Sequence, residues 1–354
     1  MSIWSFPSAG RRMLEAPTPG LSRLRSGGAD VVGERGRVSV HGTVGGAGAA
    51  EPGGPQVPTV FFLSDFGDGD GFAGIVRAVL HRLVPGIAVV DLAHGIAPFD
   101  VAGGARTLER AAPYLGDGVV LAVVDPGVGT ERRGVAVRVG RSATGASAGF
   151  AGPGPAWLVG PDNGLLVPAA RRLGRIDEVR DLPGVSTFDG RDVFAPAAAH
   201  LCVGGDPAAI GPPADPAGLV ELVDPAERGP DGPAAPKPDG RGELRVPARW
   251  IDRFGNVQLD LEAGSESPWG GPWPDAFDVG VEPPAPGAPG RIRVRCVRGF
   301  GHLERGELGL LADADGRWAL VLAEDSAADL LGVRPASVGT TRWVVLAPAG
   351  YDPR

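Results

Sequence analysis

Between residues 59 and 125 the chain alternates apolar runs with segments of helical periodicity, an order that leaves few folds open. Apolar residues recur at helical spacing over Phe72–Leu83 and Val101–Ala112, and Asp100 is placed to cap the second of these helices. Three runs have the length and composition of strands buried on both faces: TVFFLS at 59–64, IAVVDL at 87–92 and GVVLAVVD at 118–125. The alternation predicts a mostly parallel sheet with crossover helices, as in α/β proteins.

The pattern changes after about residue 205. The stretch Gly211–Gly240 is dense in Pro, Gly and Asp, which is typical of a linker or surface loop. Five short alternating segments follow without long helices between them: ELRVPARWID, NVQLDLE, RIRVRCV, RWALVLA and RWVVLA. They predict a smaller antiparallel β-domain. We therefore expect an α/β domain over 58–205, a linker over 206–241 and a β-domain over 242–348.

Two further stretches predict no packed structure. Residues 1–57 are rich in Gly, Ala, Pro and Arg without a sustained period, and we interpret them as a disordered extension. A short helix over Ala9–Ala16, or a start codon assigned too early, would also account for them. Residues 140–156, GRSATGASAGFAGPGPA, predict a mobile loop between two strands.

Composition argues against several classes of function. The 354 residues are 43 % hydrophobic and 21 % charged, which suits two domains, each with its own core. A net charge of −8 argues against a general nucleic-acid or acidic-membrane surface. No apolar run approaches the roughly 18 residues of a membrane span. Cys202 and Cys296 lack disulfide or metal-site spacing and fit a reducing cytoplasm, so we expect a cytoplasmic protein acting on small molecules.

Three aspartates, Asp65, Asp68 and Asp70, follow the first strand in SDFGDGDGF. A phosphate-binding loop is disfavoured because the P-loop lysine is missing and carboxylates repel phosphate. A calcium loop is disfavoured because the closing glutamate of an EF-hand is missing. Taken alone, the stretch fits an ordinary Gly-Asp turn best. The alternative is a carboxylate at the carboxyl end of a parallel strand, where it would suit a ribose diol.

Other polar stretches have both a structural and a functional interpretation. In VVDPGVGTERR, Asp125 ends a strand and Arg132 returns seven residues later, as a structural pair or as part of a cleft. In STFDGRDVFAPAAAHL, Asp192 can cap the Ala-rich helix with Arg191 as its charge partner. In WIDRFGNVQLDL, residues 254–256 predict a hairpin turn, and GPDNGLL predicts an Asn-Gly turn.

Taken together and in this order, six motifs resemble those of the adenosine-forming S-adenosyl-L-methionine (SAM) hydrolases, also called SAM hydroxide adenosyltransferases. These enzymes are relatives of the SAM-dependent fluorinase and chlorinase. The motifs are SDFG…DGF, DLAHGIAPFDV, AVVDPGVGTERR, GPDNGLL, STFDGRDVFAPAAAHL and IDRFGNV, within residues 58–346. The resemblance implies an α/β domain, a C-terminal β-barrel-like domain, and a homotrimer with active sites between the N-domain of one subunit and the C-domain of the next.

The resemblance also implies SAM as the substrate and a set of residues that bind it. Asp65 matches the family aspartate that accepts hydrogen bonds from both ribose hydroxyls, and Phe99 lies where an aromatic ring flanks the sugar. Phe254 would stack on adenine, and Asn256 would bond the edge of the base. The remaining candidates are Phe72, Phe188, Asp252, the backbone of Glu324, and Ser326. We expect no cofactor, and no metal, because no His/Cys/carboxylate cluster has metal-ligand spacing.

Water activation in the family is assigned to an Asp-Arg-His set, whose first two positions match Asp125 and Arg132. The family pattern TFHGRD reads TFDGRD here, so Asp189 stands at the histidine position. A carboxylate can accept the water proton, but with a usual pKa of about 4 it is a poorer base, and beside Asp125 it repels hydroxide.

Three activities therefore stay open at this point. The first is hydrolysis of SAM to adenosine and L-methionine. The second is halogenation, which the insertion at 140–156 favours and the Asp-Pro-Gly motif at Asp125 disfavours, because a fixed carboxylate repels a halide. The third is binding of SAM or adenosine without catalysis, which Asp189 favours.

Overall fold

A computed structural model describes residues 57–141, 155–184, 186–222, 237–264, 266–284, 287–334 and 343–350. The predicted extension over residues 1–57 lies outside these ranges except for Val57, and most of the predicted loop at 140–156 lies outside them too. No helix within the described ranges is long and apolar enough to cross a membrane.

The first domain is built on a seven-stranded sheet. Its strands are β1 (Thr59–Ser64), β2 (Ala88–Ala93), β3 (Val119–Val123), β4 (Gly134–Arg141), β5 (Trp157–Pro161), β6 (Gly174–Leu182) and β7 (Pro213–Ala214). They lie in the order β2-β1-β3-β5-β4-β6-β7. Strands β1, β2, β3, β5 and β6 run in one direction, and β4 and β7 run against them. The sheet is mostly parallel, as the alternation predicts.

Helices cover both faces of this sheet. They are α1 (Phe72–Leu83), α2 (Val101–Ala111), α3 (Val167–Leu173) and α4 (Ala195–Cys202). Because side chains alternate along a strand, Val60 and Phe62 of β1 pack with α1 and α4, while Phe61 and Leu63 pack with α2 and α3. Asp100 caps α2 by accepting a hydrogen bond from the Gly103 amide at 2.8 Å, which confirms its predicted role.

The run IAVVDL, expected to be buried on both faces, forms an edge strand instead. Strand β2 pairs with β1 alone among the described strands, and Val90 is 43 % exposed. The expectation was wrong because β-branched residues favour a strand at the edge of a sheet as well as at its centre.

The second domain is a closed seven-stranded barrel. Its strands are β8 (Leu244–Ile251), β9 (Val257–Glu262), β10 (Ala276–Glu282), β11 (Ile292–Cys296), β12 (Leu308–Ala312), β13 (Arg317–Leu322) and β14 (Trp343–Pro348). They lie in the order β10-β11-β12-β13-β9-β8-β14. All neighbouring pairs are antiparallel except β11 and β12. A short helix, α5 (Ala327–Leu331), packs into the apolar interior. The smaller antiparallel, barrel-like domain is confirmed.

Polar contacts from α2 join the two domains. Arg249 of β8 donates to Glu109 of α2 at 2.7 Å. The guanidinium of Arg110, also on α2, lies 4.0 Å from the centre of the Trp250 ring, and its Nε is 2.5 Å from Asp315 Oδ2. These contacts fix α2 against one side of the barrel.

The structure describes the first part of the predicted linker, up to residue 222. Strand β7 pairs with β6, and the Val220 amide donates to Asp162 at 2.8 Å, so this part lies along the first domain. Residues 223–236 lie outside the described ranges. Where the domain boundary falls stays a prediction.

Candidate active site

Two of the predicted site residues, Asp65 and Asp125, follow neighbouring parallel strands. Ser64 of β1 lies opposite Val123 of β3, and the Asp65 amide donates to the Val123 carbonyl at 3.3 Å. Both carboxylates therefore lie at the carboxyl edge of the sheet, where open α/β sheets bind ligands.

Arg132 joins Asp125 and Asp189 into a buried ionic cluster. Its Nε donates to Asp125 Oδ1 at 3.1 Å, and its Nη2 donates to Asp125 Oδ2 and, at 2.8 Å, to Asp189 Oδ2. The side chains are 12 % exposed for Arg132 and 5 % for each aspartate. With both aspartates ionised, two carboxylates surround one guanidinium, so the cluster carries an excess negative charge.

Backbone groups hold this cluster in place. Asp125 Oδ1 accepts a further hydrogen bond from the Gly127 amide at 3.1 Å. Asp189 Oδ1 accepts one from the Ser186 amide at 2.7 Å. The Nη1 of Arg132 donates to the Arg133 carbonyl at 2.9 Å. Each of the three charged side chains is thus fixed by the backbone as well as by its partners.

Burial raises the pKa of Asp125 above the usual carboxyl value, and the negative charge of Asp189 adds to the rise. The charge and hydrogen bonds of Arg132 and the Gly127 amide oppose this rise without cancelling it. An aspartate with a raised pKa is a stronger base than an ordinary one.

Phe188, the residue before Asp189, belongs to a group of aromatic rings that contact one another. Phe72 and Phe188, both predicted site residues, meet edge to face with their centres 5.3 Å apart. Phe66 contacts both rings, at 6.0 and 5.6 Å between centres. Phe66 was not among the predicted site residues, although it lies inside SDFG. Phe99 is 66 % exposed, and its amide donates to Asp65 Oδ2 at 2.9 Å.

The predicted hairpin turn at residues 254–256 is confirmed between β8 and β9. Asp252 organises it, because its Oδ1 accepts from the amides of Phe254 and Asn256, and its Oδ2 accepts from the Asn256 side chain at 2.8 Å. The Phe254 ring is 71 % exposed. The turn thus presents an aromatic face next to a fixed carboxamide.

The segment with Glu324 and Ser326 lies against this turn. The Ala328 amide donates to the Gly255 carbonyl at 2.9 Å, and Ser326 Oγ caps α5 by accepting from the Asp329 amide at 3.0 Å. Glu324 is exposed and lies 3.2 Å from Arg305. The structure therefore brings the predicted residues of the second domain together.

A cavity of about 360 Å³ opens beside the turn. Asp252 and Asn256 line it, and its further lining includes Arg110, Trp250, Arg298, Phe300, Asp313 and Asp315. Neither Asp65 nor the Arg132 cluster lines this cavity. Among the described residues, no hydrogen bond, ion pair or ring contact joins the predicted site residues of the first domain to those of the second.

The positions of two aspartates, Asp192 and Asp162, differ from the predictions or add to them. Asp192 pairs with Arg191 at 2.7 Å as expected, but it lies within a π-helical turn, Gly190–Phe194, and does not cap α4. The predicted turn in GPDNGLL contains Asp162, whose side chain is 2 % exposed and accepts from Arg133 at 2.5 Å. The ion pair of the buried Asp162 carboxylate was missed there because Arg133 is distant in sequence.

The fold and the strand-end carboxylates define an α/β enzyme with an attached β-barrel. Residues 60–211 match the model of the SAM hydroxide adenosyltransferase N-terminal domain, and residues 249–338 match the model of the C-terminal domain of the same family. The chain belongs to the SAM hydroxide adenosyltransferase family.

Individual relatives agree with this assignment. The "(R)-S-adenosyl-L-methionine hydrolase" of Salinispora tropica is 38 % identical, over 78 % of this chain and 95 % of the relative. A crystal structure of a conserved hypothetical protein from Thermus thermophilus is 34 % identical with a TM-score of 0.58, over 81 % of this chain and 99 % of that one. A fluorinase from an Actinoplanes species is 30 % identical, over 42 % of this chain and 55 % of the relative.

Proposed function

We propose that this protein hydrolyses SAM to adenosine and L-methionine. In this reaction a water oxygen attacks C5′, the C5′–S bond breaks with its electron pair on sulfur, and one water proton is released. The observation that carries the proposal is the buried cluster of Asp125, Arg132 and Asp189 beside Asp65 in a chain of this family.

The chemistry of the sulfonium sets what the site has to supply. The leaving group departs as a neutral thioether, so no general acid is needed. The site has to place a water oxygen in line with the C5′–S bond and exclude other water. The excess negative charge of the cluster favours a cationic substrate and opposes a halide nucleophile.

We assign proton acceptance and water orientation to Asp125. A carboxylate has about four acceptor positions, and three contacts from Arg132 and the Gly127 amide leave one for a water proton. The raised pKa of Asp125 supports this assignment. Arg132 holds the carboxylate in a fixed direction.

Asp189 takes the place of the family histidine, and we assign it to holding Arg132. Its two oxygens accept from Arg132 and from the Ser186 amide, which supports a role in fixing the guanidinium. Its negative charge also raises the pKa of Asp125. The carboxylate thus makes its neighbour a better base.

The substrate is held by residues from both domains in this proposal. Asp65 accepts from the ribose hydroxyls, and Phe99 flanks the sugar. Phe72 and Phe188 border the sulfonium, because aromatic rings attract a cation. From the second domain the contacts come from Asp252, Phe254, Asn256, the backbone of Glu324, and Ser326.

We propose that a second copy of the chain completes each site in a homotrimer. Two observations support this arrangement. The first is that, within the described part of one chain, no polar or aromatic contact links the predicted site residues of the first domain to those of the second. The second is that the rings of Phe99 and Phe254 are largely exposed. The two cysteines are free, which supports a reducing cytoplasm as the compartment.

The preferred form of the substrate is the (R) epimer at sulfur in this proposal. The name of the Salinispora tropica relative contains the descriptor (R). The same name already specifies the configuration of the methionine carbon by L, and that of the sugar by the word adenosyl. The descriptor therefore refers to the sulfonium centre. In-line attack demands one orientation of the three sulfur substituents, so a rigid site discriminates between epimers.

The test is to incubate the purified protein with both sulfonium epimers in ¹⁸O-water and to follow the products by chromatography and mass spectrometry. We expect adenosine labelled at the 5′ oxygen, an equal amount of methionine, and preferential loss of the (R) epimer. The Asp125→Asn variant is the matched control, with little turnover and retained SAM binding. Unlabelled adenosine, or turnover unaffected in this variant, would contradict the mechanism.

The two alternatives have their own outcomes in the same experiment. The fluorinase relative motivates a halogenation test, in which added chloride or fluoride would give a 5′-halo-5′-deoxyadenosine. A protein that binds SAM tightly and releases no product would be a binding module. The acidic cluster argues against the first, and the raised pKa of Asp125 argues against the second.

A further inference from the structure

A chain of polar side chains ends directly next to Asp65. Arg77 of α1 donates to Asp91 of β2 at 2.6 Å. Asp91 Oδ1 lies 3.1 Å from His94 Nε2, and His94 Nδ1 lies 2.7 Å from Ser64 Oγ at the end of β1. None of these four residues belongs to the substrate contacts or to the water-activating cluster proposed above.

The inner part of this chain is fully partnered and buried. Ser64 is 0 % exposed, the His94 side chain is 6 % exposed, and the Phe62 ring lies 4.6 Å from the imidazole. Burial alone would raise the pKa of Asp91, but hydrogen bonds from His94 and Arg77 outweigh it and lower the pKa. With a neutral imidazole, an ionised Asp91 accepts from His94 Nε2–H, and this tautomer leaves Nδ1 to accept the Ser64 hydroxyl proton.

His94 holds the backbone on both sides of Asp65. On one side, the Ser64 hydroxyl oxygen that it fixes accepts a hydrogen bond from the Phe66 amide at 3.3 Å. On the other side, the His94 carbonyl accepts from the Gly67 amide at 2.7 Å. The His94 side chain, through Ser64, and the His94 carbonyl, through Gly67, therefore add to the bonds that Asp65 makes with the Val123 carbonyl and the Phe99 amide.

The same residue types form hydrolytic Ser-His-Asp triads, but the geometry differs. In a triad the serine contacts Nε2 and the aspartate contacts Nδ1, whereas Ser64 contacts Nδ1 and Asp91 contacts Nε2. Ser64 is also inaccessible to a substrate. A nucleophilic role for Ser64 is therefore excluded.

We propose that His94 is a positioning residue for substrate binding, which sets the direction of the Asp65 carboxylate toward the ribose hydroxyls through Ser64 and the Gly67 amide. The inference rests on the proposed function for the identity of the ribose ligand. It does not depend on turnover, because its readout is the binding of a nucleoside.

The experiment is isothermal titration calorimetry with adenosine and with 2′,3′-dideoxyadenosine, which lacks both ribose hydroxyls. In the His94→Ala variant we expect adenosine to bind ~10-fold more weakly, the lower end of the effect of removing a residue that orients a ligand-binding group. Binding of the dideoxy compound should be unchanged. In an Asp65→Ala background, the His94 change should add nothing, because both changes remove the same interaction.

Conservative variants separate positioning from folding. His94→Asn offers an acceptor near the Nδ1 position and should restore much of the adenosine affinity, whereas His94→Gln offers a polar group near Nε2 and should not. His200→Ala is the control, since the His200 ring makes a hydrogen bond to the Asp206 carbonyl at 3.0 Å and lies outside this chain of contacts. It should bind both nucleosides like the parent protein.

Three outcomes would overturn the inference. One is a folded His94→Ala protein that binds adenosine like the parent. Another is equal weakening of adenosine and of the dideoxy compound, which would mean a general structural role. The last is a parent protein that does not distinguish the two nucleosides. Failure of SAM hydrolysis alone, with these binding differences intact, would overturn the proposed function and leave the role of His94 standing.

Discussion

Asp189 changes the charge of the site at the position where the family has a histidine. A neutral histidine there would leave Asp125 and Arg132 balanced, whereas the second carboxylate gives the cluster an excess negative charge. The negative charge of Asp189 raises the pKa of Asp125, and the charge and hydrogen bonds of Arg132 oppose this rise. The pH dependence of the enzyme is the most direct measure of this balance.

The Asp189→Asn variant should shift the acid side of the pH profile. The charge of Asp189 raises the pKa of Asp125, so its removal lowers that pKa. If ionised Asp125 is the base, activity then persists to lower pH, while the plateau falls because the base is weaker. The measurement is kcat/KM against pH for both proteins. An acid limb that stays in place or moves to higher pH would contradict the assignment.

The Asp189→His variant restores the family residue. We expect kcat to rise near neutral pH by ~10-fold or more, because histidine is a base poised near pH 7 and removes a charge that opposes hydroxide. The measurement is kcat for SAM hydrolysis by a variant shown to be folded. Unchanged or reduced turnover would instead show that the contacts of Asp189 with Ser186 and Arg132 need a carboxylate.

Alanine variants of Asp65 and Asn256 test the two halves of the proposed binding site. Each changed to Ala should weaken SAM binding by ~1–3 kcal/mol, because a buried polar group of the ligand loses its partner. Asp65 also holds Phe99, whose φ of 67° is costly for a residue with a side chain. The Asp65 variant should therefore show the larger loss. Titration calorimetry checks both, and wild-type affinity in both would show that the pocket is misplaced.

At the scale of elements, one glycine joins the β8–β9 turn to α5. Gly255 has a φ of 81°, and a Cβ atom on it would lie 2.1 Å from Ser326 Oγ. Substitution therefore both strains the backbone and pushes apart the turn and the α5 cap. The packing of these two elements places Phe254, Asn256 and Ser326 in one structural unit.

Gly255→Ala should lower the free energy of unfolding by about 1–3 kcal/mol, the usual cost of overpacking, and should weaken SAM binding as well. Gly306→Ala is the matched control, because Gly306 also has a positive φ, 76°, but has open space around it. Urea denaturation gives the free energy of unfolding of both variants. The difference between them separates the effect of the clash with Ser326 from the effect of the strained backbone. Equal destabilisation would mean that the contact with Ser326 has no effect of its own.

Short-range features of these elements were predictable from sequence, and long-range ones were not. The Asp100 cap and the turn organised by Asp252 involve residues three or four positions apart, so their signals are local. The bond between Arg132 and Asp189 spans 57 positions, and the one between Ser64 and His94 spans 30. Such pairs arise when strands and loops converge, which periodicity does not report.

The family resemblance predicted one of these long-range groups of residues. It named Asp125, Arg132 and Asp189 as a set, and the structure brings all three together in one cluster. It did not name Ser64 or Asp162, whose burial becomes visible only when the sheet is assembled. Likewise the exposure of β2 depends on its place at the sheet edge, which its apolar sequence does not encode.

At the scale of the whole molecule, subunits with shared sites should complement one another. Asp125→Asn and Asn256→Ala each impair a different half of the proposed site, so trimers of either variant alone should show little activity at SAM concentrations well below KM. In a cyclic trimer that contains both variants, about one of the three sites pairs the two intact halves. We therefore expect mixed trimers to show about a third of wild-type activity.

The readout is kcat/KM per site after co-purification through two different affinity tags. Two Asp125→Asn chains carrying the two tags are the control and should show no recovery. Activity no higher in the mixture than in the parent variants would mean that each site belongs to one chain. Sedimentation analysis of the same samples checks the trimer itself.

The excess negative charge of the Arg132 cluster also affects the release of products after each turnover. Hydrolysis removes the positive charge at sulfur, so the attraction that helps to hold SAM is absent for adenosine and for the thioether of methionine. The products should therefore dissociate more readily than the substrate, and adenosine should inhibit weakly at concentrations where SAM saturates the site. Cleavage of the C5′–S bond thus also promotes dissociation of the products.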